Sequence, residues 1–411
     1  MFFLWWNMHT TFAGKKIVIG VSGSISAFKV AGWVSTLVQE EALVDVIMTD
    51  AAQKFITPLT FEALTARTVY QGMFSDENHD PMSHINLGRD CDCIIVAPAT
   101  AQTIARLANG LADDLLSTTV LAARVPVIVC PAMNTKMFEH QATQANIARL
   151  KKYGYVVIDP DSGQMACGDK GKGRLPDWDR VCEHILRSIS AGDLEGQHIL
   201  VTAGPTRETY DPVRFISNRS SGKMGYAIAQ TAFRRGAEVT LISGPTSLSA
   251  PEGVKTMSVN SAQEMYDEVM AIYDRFSIVV KSAAVSDFRP SDVHTQKIKK
   301  DKSSLVMELE QTKDILKELG VNRDSDSQLL IGFAAESSNI EVEGRKKLTD
   351  KYLDLIAVND ITSPEAGFAG DNNQLTLISP QQCVTLPFTT KMKTADLLWD
   401  FIIDNKLIKK Q

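Results

Sequence analysis

The stretch KIVIGVSGSISAFKVAGWVSTLVQ, residues 16–39, runs from a β-branched apolar segment through a loop of small residues into a stretch with apolar side chains three and four apart. A strand feeding a helix in this way opens a βαβ unit. The alternation continues through LVDVIMT, CDCIIVAPA, DDLLSTTVLAA, VPVIVCPA, HQATQANIARLKKYG and YVVIDP. Strict alternation predicts a parallel sheet with helices on both faces. AGDLEGQ, residues 191–197, reads as a linker, and the plan then restarts at HILVTAG. Strands are expected at AEVTLIS, SIVVKSA, LLIGFAAE and LDLIAVND, with helices at GKMGYAIAQTAFRRG, at AQEMYDEVMAIY and between the last two strands. QLTLISPQQCVTLPF reads as a hairpin before a last helix, TADLLWDFIIDN. The expected architecture is α/β, two doubly wound Rossmann-like domains spanning 14–190 and 191–411.

The 411 residues carry 43 basic and 49 acidic side chains, a formal net charge of -6. That balance provides no global positive field, so neither nucleic acid nor an anionic membrane is an expected partner. The opening MFFLWWN lacks the basic flank and the cleavage site of a signal peptide. Apolar runs such as IVIGV fall short of the roughly 18 residues a membrane span needs, and a cytoplasmic protein is expected. Six cysteines occur without a CxxC pair, which excludes a disulfide scaffold or a structural zinc site. Most are expected to be small buried hydrophobes.

Ligands of doubly wound folds sit beyond the carboxyl ends of the strands, so the loops there are where chemistry is sought. In SGSISAFK, residues 22–29, small residues at the entrance of a helix suit a phosphate, although a tight turn with a serine cap has the same composition. Neither half carries GxGxxG. PAMNTKM, residues 131–137, ends a strand in Pro and presents Asn134, whose amide both donates and accepts. His84 has the pKa range for proton transfer, though a lone histidine is more often a surface or capping residue. GQMACGDKGKGRL, residues 163–175, is glycine-rich and reads as a mobile flap, with Cys167 beside Lys170, Lys172 and Arg174. In the second half ISNRSSGKMG is not a Walker A loop, because Ser217 replaces the first glycine and Met224 the required Ser or Thr.

In this order and spacing, SGSISAFK, His84, PAMNTKM and ACGDKGKGRL resemble the flavin-dependent cysteine decarboxylases. AGPTRETYDPVRFISNRSSGKMG, SAAVSDFRP, KIKK, GFAAE and VNDI resemble phosphopantothenate-cysteine ligases. Together they cover residues 14–407, and their fusion is similar to the bifunctional bacterial enzymes of coenzyme A biosynthesis. The resemblance implies a flavodoxin-like FMN domain followed by a nucleotide-binding ligase domain.

For the first domain the resemblance implies decarboxylation of 4'-phospho-N-pantothenoylcysteine with FMN as cofactor. Gly23, Ser24 and Ile25 would hold the FMN phosphate, and Thr49, Ala99, Thr100 and Asn109 would line the rest of the flavin site. His84 would act as base or orienting group, Asn134 would grip the substrate carboxylate and Met137 would pack on the substrate. Cys167 matches the flap cysteine that donates a proton. Phe138 and Leu175 depart from the family's usual Trp and Met, and both remain apolar.

For the second domain it implies activation of 4'-phosphopantothenate by CTP, with Mg2+ accompanying the nucleotide, and attack of cysteine on the acyl-cytidylate. Ser282, Ala283, Ala284 and Asp287, then Thr312, Lys313, Asp314 and Ile315, would contact the nucleotide. Phe333 would stack near its base or ribose, Lys297 would meet the triphosphate, and Lys347 and Lys351 would reach it from a helix. Asn218 would stabilise the acyl-cytidylate, with Arg214 a candidate for the substrate phosphate. The family's trimeric flavin domains and dimeric ligase domains imply a large homo-oligomer. Two other readings remain: a flavoprotein regulatory module with vestigial catalysis, which His84, Asn134 and Cys167 disfavour, and a pyridine-nucleotide oxidoreductase, which the missing GxGxxG disfavours.

Overall fold

The computed structural model describes residues 12–73, 82–165, 168–298, 306–360 and 370–409. The opening MFFLWWN, Cys167 and Lys299 to Lys302 of the lysine-rich segment lie outside them. The chain divides into two compact units between Ile189 and Ser190.

In the first unit the elements run β1 (Lys16–Val21), α1 (Ala27–Gln39), β2 (Leu43–Met48), α2 (Pro58–Thr65), α3 (Ser83–Arg89), β3 (Cys93–Ala99), α4 (Ala101–Asn109), α5 (Leu115–Ala122), β4 (Val127–Pro131), α6 (Thr135–Glu139), α7 (Gln141–Lys152), β5 (Val156–Val157), β6 (Asp161–Gln164), β7 (Lys170–Arg174) and α8 (Trp178–Ile189). β1 to β5 form one parallel sheet in the order β2-β1-β3-β4-β5. Alternation along β1 sends Ile17, Ile19 and Val21 to the face covered by α1, α2 and α8, while Val18 joins the face packed by α4, α5 and α7. On α1 the buried Ala27, Val30, Val34 and Leu37 form one stripe. This strand order reverses direction between β1 and β3, so a crevice opens beyond their carboxyl ends.

The second unit adds β8 (His198–Ala203), β9 (Arg207–Thr209), β10 (Phe215–Ser217), α9 (Lys223–Arg234), β11 (Glu238–Ser243), β12 (Lys255–Ser258), α10 (Ala262–Ile272), β13 (Ile278–Lys281), β14 (Phe288–Pro290), β15 (Leu309–Gln311), α11 (Ile315–Asn322), β16 (Leu329–Glu336), α12 (Ile340–Asp350), β17 (Leu355–Asp360), β18 (Asn372–Asn373), β19 (Leu375–Ile378), β20 (Cys383–Thr385), β21 (Thr389–Thr390) and α13 (Lys391–Asp404). Its sheet runs β12-β11-β8-β13-β16-β17-β19-β20. The six strands from β12 to β17 are parallel, and the β19–β20 hairpin adds an antiparallel edge. α9 and α13 cover one face with Ile199, Val201 and Ile331, and α10, α11 and α12 cover the other with Leu200, Val279 and Leu330. Here the reversal falls between β8 and β13.

Two expectations change. The stretch read as a linker is fastened to the second unit: Leu194 is fully buried in its core and Asp193 pairs with Arg235. One apolar side chain and one ion pair suffice to hold a segment whose glycines suggested a free chain. The glycine-rich flap is a paired hairpin, with Ser162 opposite Lys172 and Gln164 opposite Lys170. No described helix is long and apolar enough to cross a membrane. Among the described cysteines Cys93, Cys130 and Cys182 are buried, and burial pushes the partly covered Cys91 thiol up to about 11.

Candidate active sites

In the first unit the turn after β1 meets the loops after β2 and β3. Ser22 is buried; its hydroxyl donates to the Pro98 carbonyl at 2.6 Å and accepts from the Thr100 amide at 3.1 Å. One side chain thus clamps the two loops flanking the strand-order reversal. Gly23 lies so close to Ala51 that an added Cβ would stand 2.4 Å from the alanine methyl, so no side chain intrudes on the crevice there. Thr49 joins this cluster through its amide, 3.1 Å from the Val21 carbonyl, and Thr100 caps α4 by accepting from Thr103. Gly23, Ser24, Ile25, Thr49, Ala99 and Thr100 therefore lie on three adjoining loops.

Asn109 stands apart, exposed at the far end of α4, roughly 13 Å along the axis from Thr100 at 1.5 Å per residue. There its amide accepts from Arg149. His84 is half-buried in the first turn of α3, which packs on α5.

Asn134 caps the short α6: its Oδ1 accepts from the Lys136 amide at 2.9 Å, and its Nδ2 donates to Asp169 Oδ2 at 2.8 Å. The hairpin of β6 and β7 rests on this segment through the Met133 amide and the Gly173 carbonyl, 2.9 Å apart. A Cβ on Gly173 would lie 2.1 Å from the Met133 carbonyl oxygen, so only glycine allows that approach. The Met165 amide donates to the Asp169 carbonyl at 2.9 Å; Cys167 lies outside the described residues. Met137 is half exposed. Phe138 and Leu175, the two departures from the family pattern, are both core residues.

In the second unit a cavity of about 820 Å³ opens at the strand-order reversal. Its wall includes Asn218, Ser282, Ala283, Ala284, Asp287, Thr312, Lys313, Asp314, Ile315, Phe333, Lys347 and Lys351. The turn after β13 is tied to β8 by Ser282 Oγ donating to the Thr202 carbonyl at 2.6 Å and by the Ala284 amide donating to Gly204 at 3.0 Å. Asn218 donates to the Ala284 carbonyl at 3.0 Å. Thr312 is drawn to the same turn, its hydroxyl donating to the Ser286 carbonyl at 2.6 Å. Lys351 Nζ lies 2.9 Å from Asp314 Oδ2, while Lys347 pairs with Glu336. Burial raises the Asp314 pKa, but the Lys351 and Lys317 hydrogen bonds outweigh it and hold the group below its ordinary value.

Arg214 and Lys297 are not on this wall. Arg214 is held by the buried carboxylate of Asp211, its Nε donating at 2.9 Å, and its guanidinium also donates to the Ile298 carbonyl at 3.1 Å. The exposed Lys297 therefore neighbours the Asp211–Arg214 pair.

Sequence reasoning missed Asp169, Lys223, Lys281, Asn359, Asn373 and Lys391. Lys223 had a signal, since it follows the SSG turn directly; Lys391, between threonines at the start of a distant helix, had none. Lys281 ends β13, and its Nζ donates to the Ala283 carbonyl at 2.9 Å. Burial, then the neighbouring Lys351 charge, pushes its pKa down to about 8. Burial and Lys223 do the same to Lys391, also to about 8.

Two doubly wound units, the first with its crevice at a flavodoxin-type reversal and the second with a lysine-lined cleft at a Rossmann-type reversal, define a two-unit α/β protein of the doubly wound class. The flavoprotein family matches residues 7–190, and the DNA/pantothenate metabolism flavoprotein C-terminal domain matches residues 194–405. The coenzyme A biosynthesis bifunctional protein CoaBC of Bacillus subtilis is 48% identical over 368 residues, 88% of this chain and 90% of that one. Its Escherichia coli K12 counterpart is 44% identical over 395 residues, 95% and 97% of the two chains. A crystal structure of a CoaBC C-terminal domain, 45% identical, covers 52% of this chain and 97% of that one with a TM-score of 0.45. The chain belongs to the family of bifunctional coenzyme A biosynthesis proteins, and it is an enzyme with decarboxylase and ligase activities.

Proposed function

We propose that the second unit joins 4'-phosphopantothenate to cysteine at the expense of CTP, and that the first unit decarboxylates the product with FMN. The observation that carries this reading is the convergence of the Ser282–Asp287 turn, the Thr312–Ile315 turn and the α12 lysines on one cleft. A carboxylate is a poor electrophile, so activation comes first. The substrate carboxylate attacks the α-phosphorus of CTP and pyrophosphate leaves; the cysteine amine then attacks the acyl carbon, loses a proton and expels CMP. Lys347 and Lys351 offset the accumulating phosphate charge, Asp287 and Phe333 orient the nucleoside, and Asn218 donates to the acyl-cytidylate. Arg214 and Lys297 would act from outside the cleft wall. Among the described residues no group of three His, Cys, Asp or Glu side chains is placed to hold a metal ion; magnesium would enter with the nucleotide phosphates.

The first unit's crevice fits FMN, since the Gly23 position admits no side chain and serines surround it. Gly23, Ser24 and Ile25 would hold the phosphate, with Thr49, Ala99 and Thr100 along the ring system. FMN supplies reversible two-electron redox chemistry when bound. Asn134 orients the carboxylate that departs as CO2, His84 holds or removes the thiol proton, and Cys167 returns a proton to carbon. Electrons leave the cysteine carbons before CO2 departs and return afterwards, so no external oxidant is consumed. By resemblance to the family, the flavin units would form trimers and the ligase units dimers, in the cytoplasm, and the exposed Asn109 and Met137 would then meet a flavin site completed by a second copy.

The test is mass spectrometry of products after mixing the protein with 4'-phosphopantothenate, cysteine, magnesium and either CTP or ATP. Formation of 4'-phosphopantetheine with CTP supports both steps. Product with ATP alone overturns the nucleotide assignment, and accumulation of the acylated cysteine overturns the role given to the first unit.

A further inference from the structure

The reaction assigned to the second unit leaves a proton to be removed. As the cysteine nitrogen bonds to the acyl carbon it becomes acidic, and the amide forms once a base has taken its proton. The carboxylates on the cleft wall, among the described residues, are Asp287 and Asp314. Asp287 is assigned above to the nucleoside. Asp314 caps α11, accepting from the Lys317 amide at 3.1 Å, and pairs with Lys351, which together hold it below its ordinary pKa and make it a weak base. Every other ionisable group on that wall is an arginine or a lysine.

Lys281 differs from the rest by its place. It ends β13, one of the two strands that flank the reversal, and lines the cleft. Its Nζ donates to the Ala283 carbonyl at 2.9 Å, and Asn218 Nδ2 donates to the next carbonyl along the chain, that of Ala284, at 3.0 Å. The lysine nitrogen and the amide assigned to the acyl-cytidylate therefore hang on consecutive carbonyls of one turn. A charged lysine has three donors and no acceptor. Losing one proton leaves a donor for Ala283 and opens a lone pair, so the tether survives in the neutral form.

The charges that act on Lys281 are Lys351, which opposes its own, and Asp314 and Asp287, which favour it; Arg219 and Lys223 on the α9 side and Lys313 before α11 share the wall. Burial and Lys351 prevail and bring it down to about 8, close to the range in which a base works near neutral pH. Lys391 has a similar value, but its Nζ is held on the Gly370 carbonyl and not on this turn. A bound triphosphate favours the ammonium form of Lys281, and the departure of pyrophosphate withdraws that charge before cysteine attacks.

Resting on the ligase reading above, we propose that Lys281 is the base that takes the proton from the cysteine amine as it attacks the acyl-cytidylate. The C–N bond forms, Lys281 Nζ receives the proton from that nitrogen, and the bond from the acyl carbon to the phosphate oxygen breaks, its electron pair leaving on CMP. The ammonium then returns the proton to solvent.

The experiment supplies the full-length wild type, K281M and K281R with CTP, magnesium and 4'-phosphopantothenate, together with either cysteine or hydroxylamine. Hydroxylamine is unprotonated at neutral pH and attacks acyl phosphates without a base, so it reports activation alone. Mass spectrometry follows the hydroxamate on one side and, on the other, the acyl-cysteine with its decarboxylated product. The expected result is a fall of about a hundredfold or more in the cysteine rate of both variants, with the hydroxamate still formed. Arginine keeps the charge but cannot give up its proton in this range, so K281R must fail with cysteine as K281M does. Equal loss on both nucleophiles places the lysine in activation and overturns the base, and so does a K281R active with cysteine. A wild type forming neither product overturns the ligase reading itself, whereas an active wild type with unimpaired variants overturns only the base.

Discussion

The Asn134 side chain is held at both ends, its Oδ1 by the Lys136 amide at 2.9 Å and its Nδ2 by Asp169 Oδ2 at 2.8 Å. The second contact joins the loop after β4 to Asp169, the residue before β7 and two residues beyond Cys167 in the sequence. Asp169→Ala removes that acceptor and loosens the Asn134 amide, which keeps its contact to Lys136. The expected outcome is a drop of about a hundredfold in kcat/KM for CO2 release, with flavin content unchanged and partial recovery in Asp169→Asn, whose amide oxygen still accepts. Unaltered CO2 release in Asp169→Ala would mean that the contact does not position Asn134.

Gly23 is closely packed where the turn after β1 meets the loop after β2. A methyl group there meets the Ala51 methyl at 2.4 Å, so Gly23→Ala must push the turn after β1 away from the loop after β2. Overpacking of this kind costs about 1–3 kcal/mol, and the displacement falls on the residues proposed to hold the FMN phosphate. Gly23→Ala is expected to fold, to purify with little bound flavin and to retain ligase activity. The visible absorption spectrum and the acylated cysteine yield check the two halves separately.

Trp399 anchors α13 to α9 in the second unit. It is fully buried, and its indole N–H donates to Thr231 Oγ1 at 3.1 Å. Trp399→Ala empties the centre of that helix contact and should cost about 3–5 kcal/mol. Trp399→Phe keeps most of the volume and loses the indole donor, shared between Thr231 Oγ1 and the Ile228 carbonyl, about 1 kcal/mol. Thr231 still has the Ala227 carbonyl, to which it donates at 2.8 Å. Urea unfolding should show the transition of the second unit moving to lower concentration in both variants, by more in Trp399→Ala.

The alternation of short apolar strands with amphipathic helices made both sheets legible, because periodicity depends only on local chain geometry. It also located the loops of the sites, since strand ends are where doubly wound folds open. Contacts distant in sequence were not legible. Leu194 looked like part of a linker because one buried side chain leaves no periodic pattern, and Asp169 gave no signal because its partner lies 35 residues away. Lys391 lies on the cleft wall through the packing of α13 on α9, a contact that no local pattern announces.

Lys281 provides a proton signature for the nucleotide. Its pKa of about 8 reflects burial first and the Lys351 charge second, partly opposed by Asp314 and Asp287. At pH 8 about half of the molecules therefore carry this lysine neutral. A bound triphosphate brings negative charge into the cleft, which favours the ammonium form and raises the pKa, so protons are taken up on binding. The sign fixes the window: uptake of up to about half a proton at pH 8 and almost none near pH 6.5, where Lys281 is already charged. Calorimetric titration of CTP in buffers of different ionisation enthalpy measures the protons directly. Lys281→Met should lose the uptake at pH 8, and release of protons by the wild type would reverse the sign and remove Lys281 from the nucleotide's surroundings.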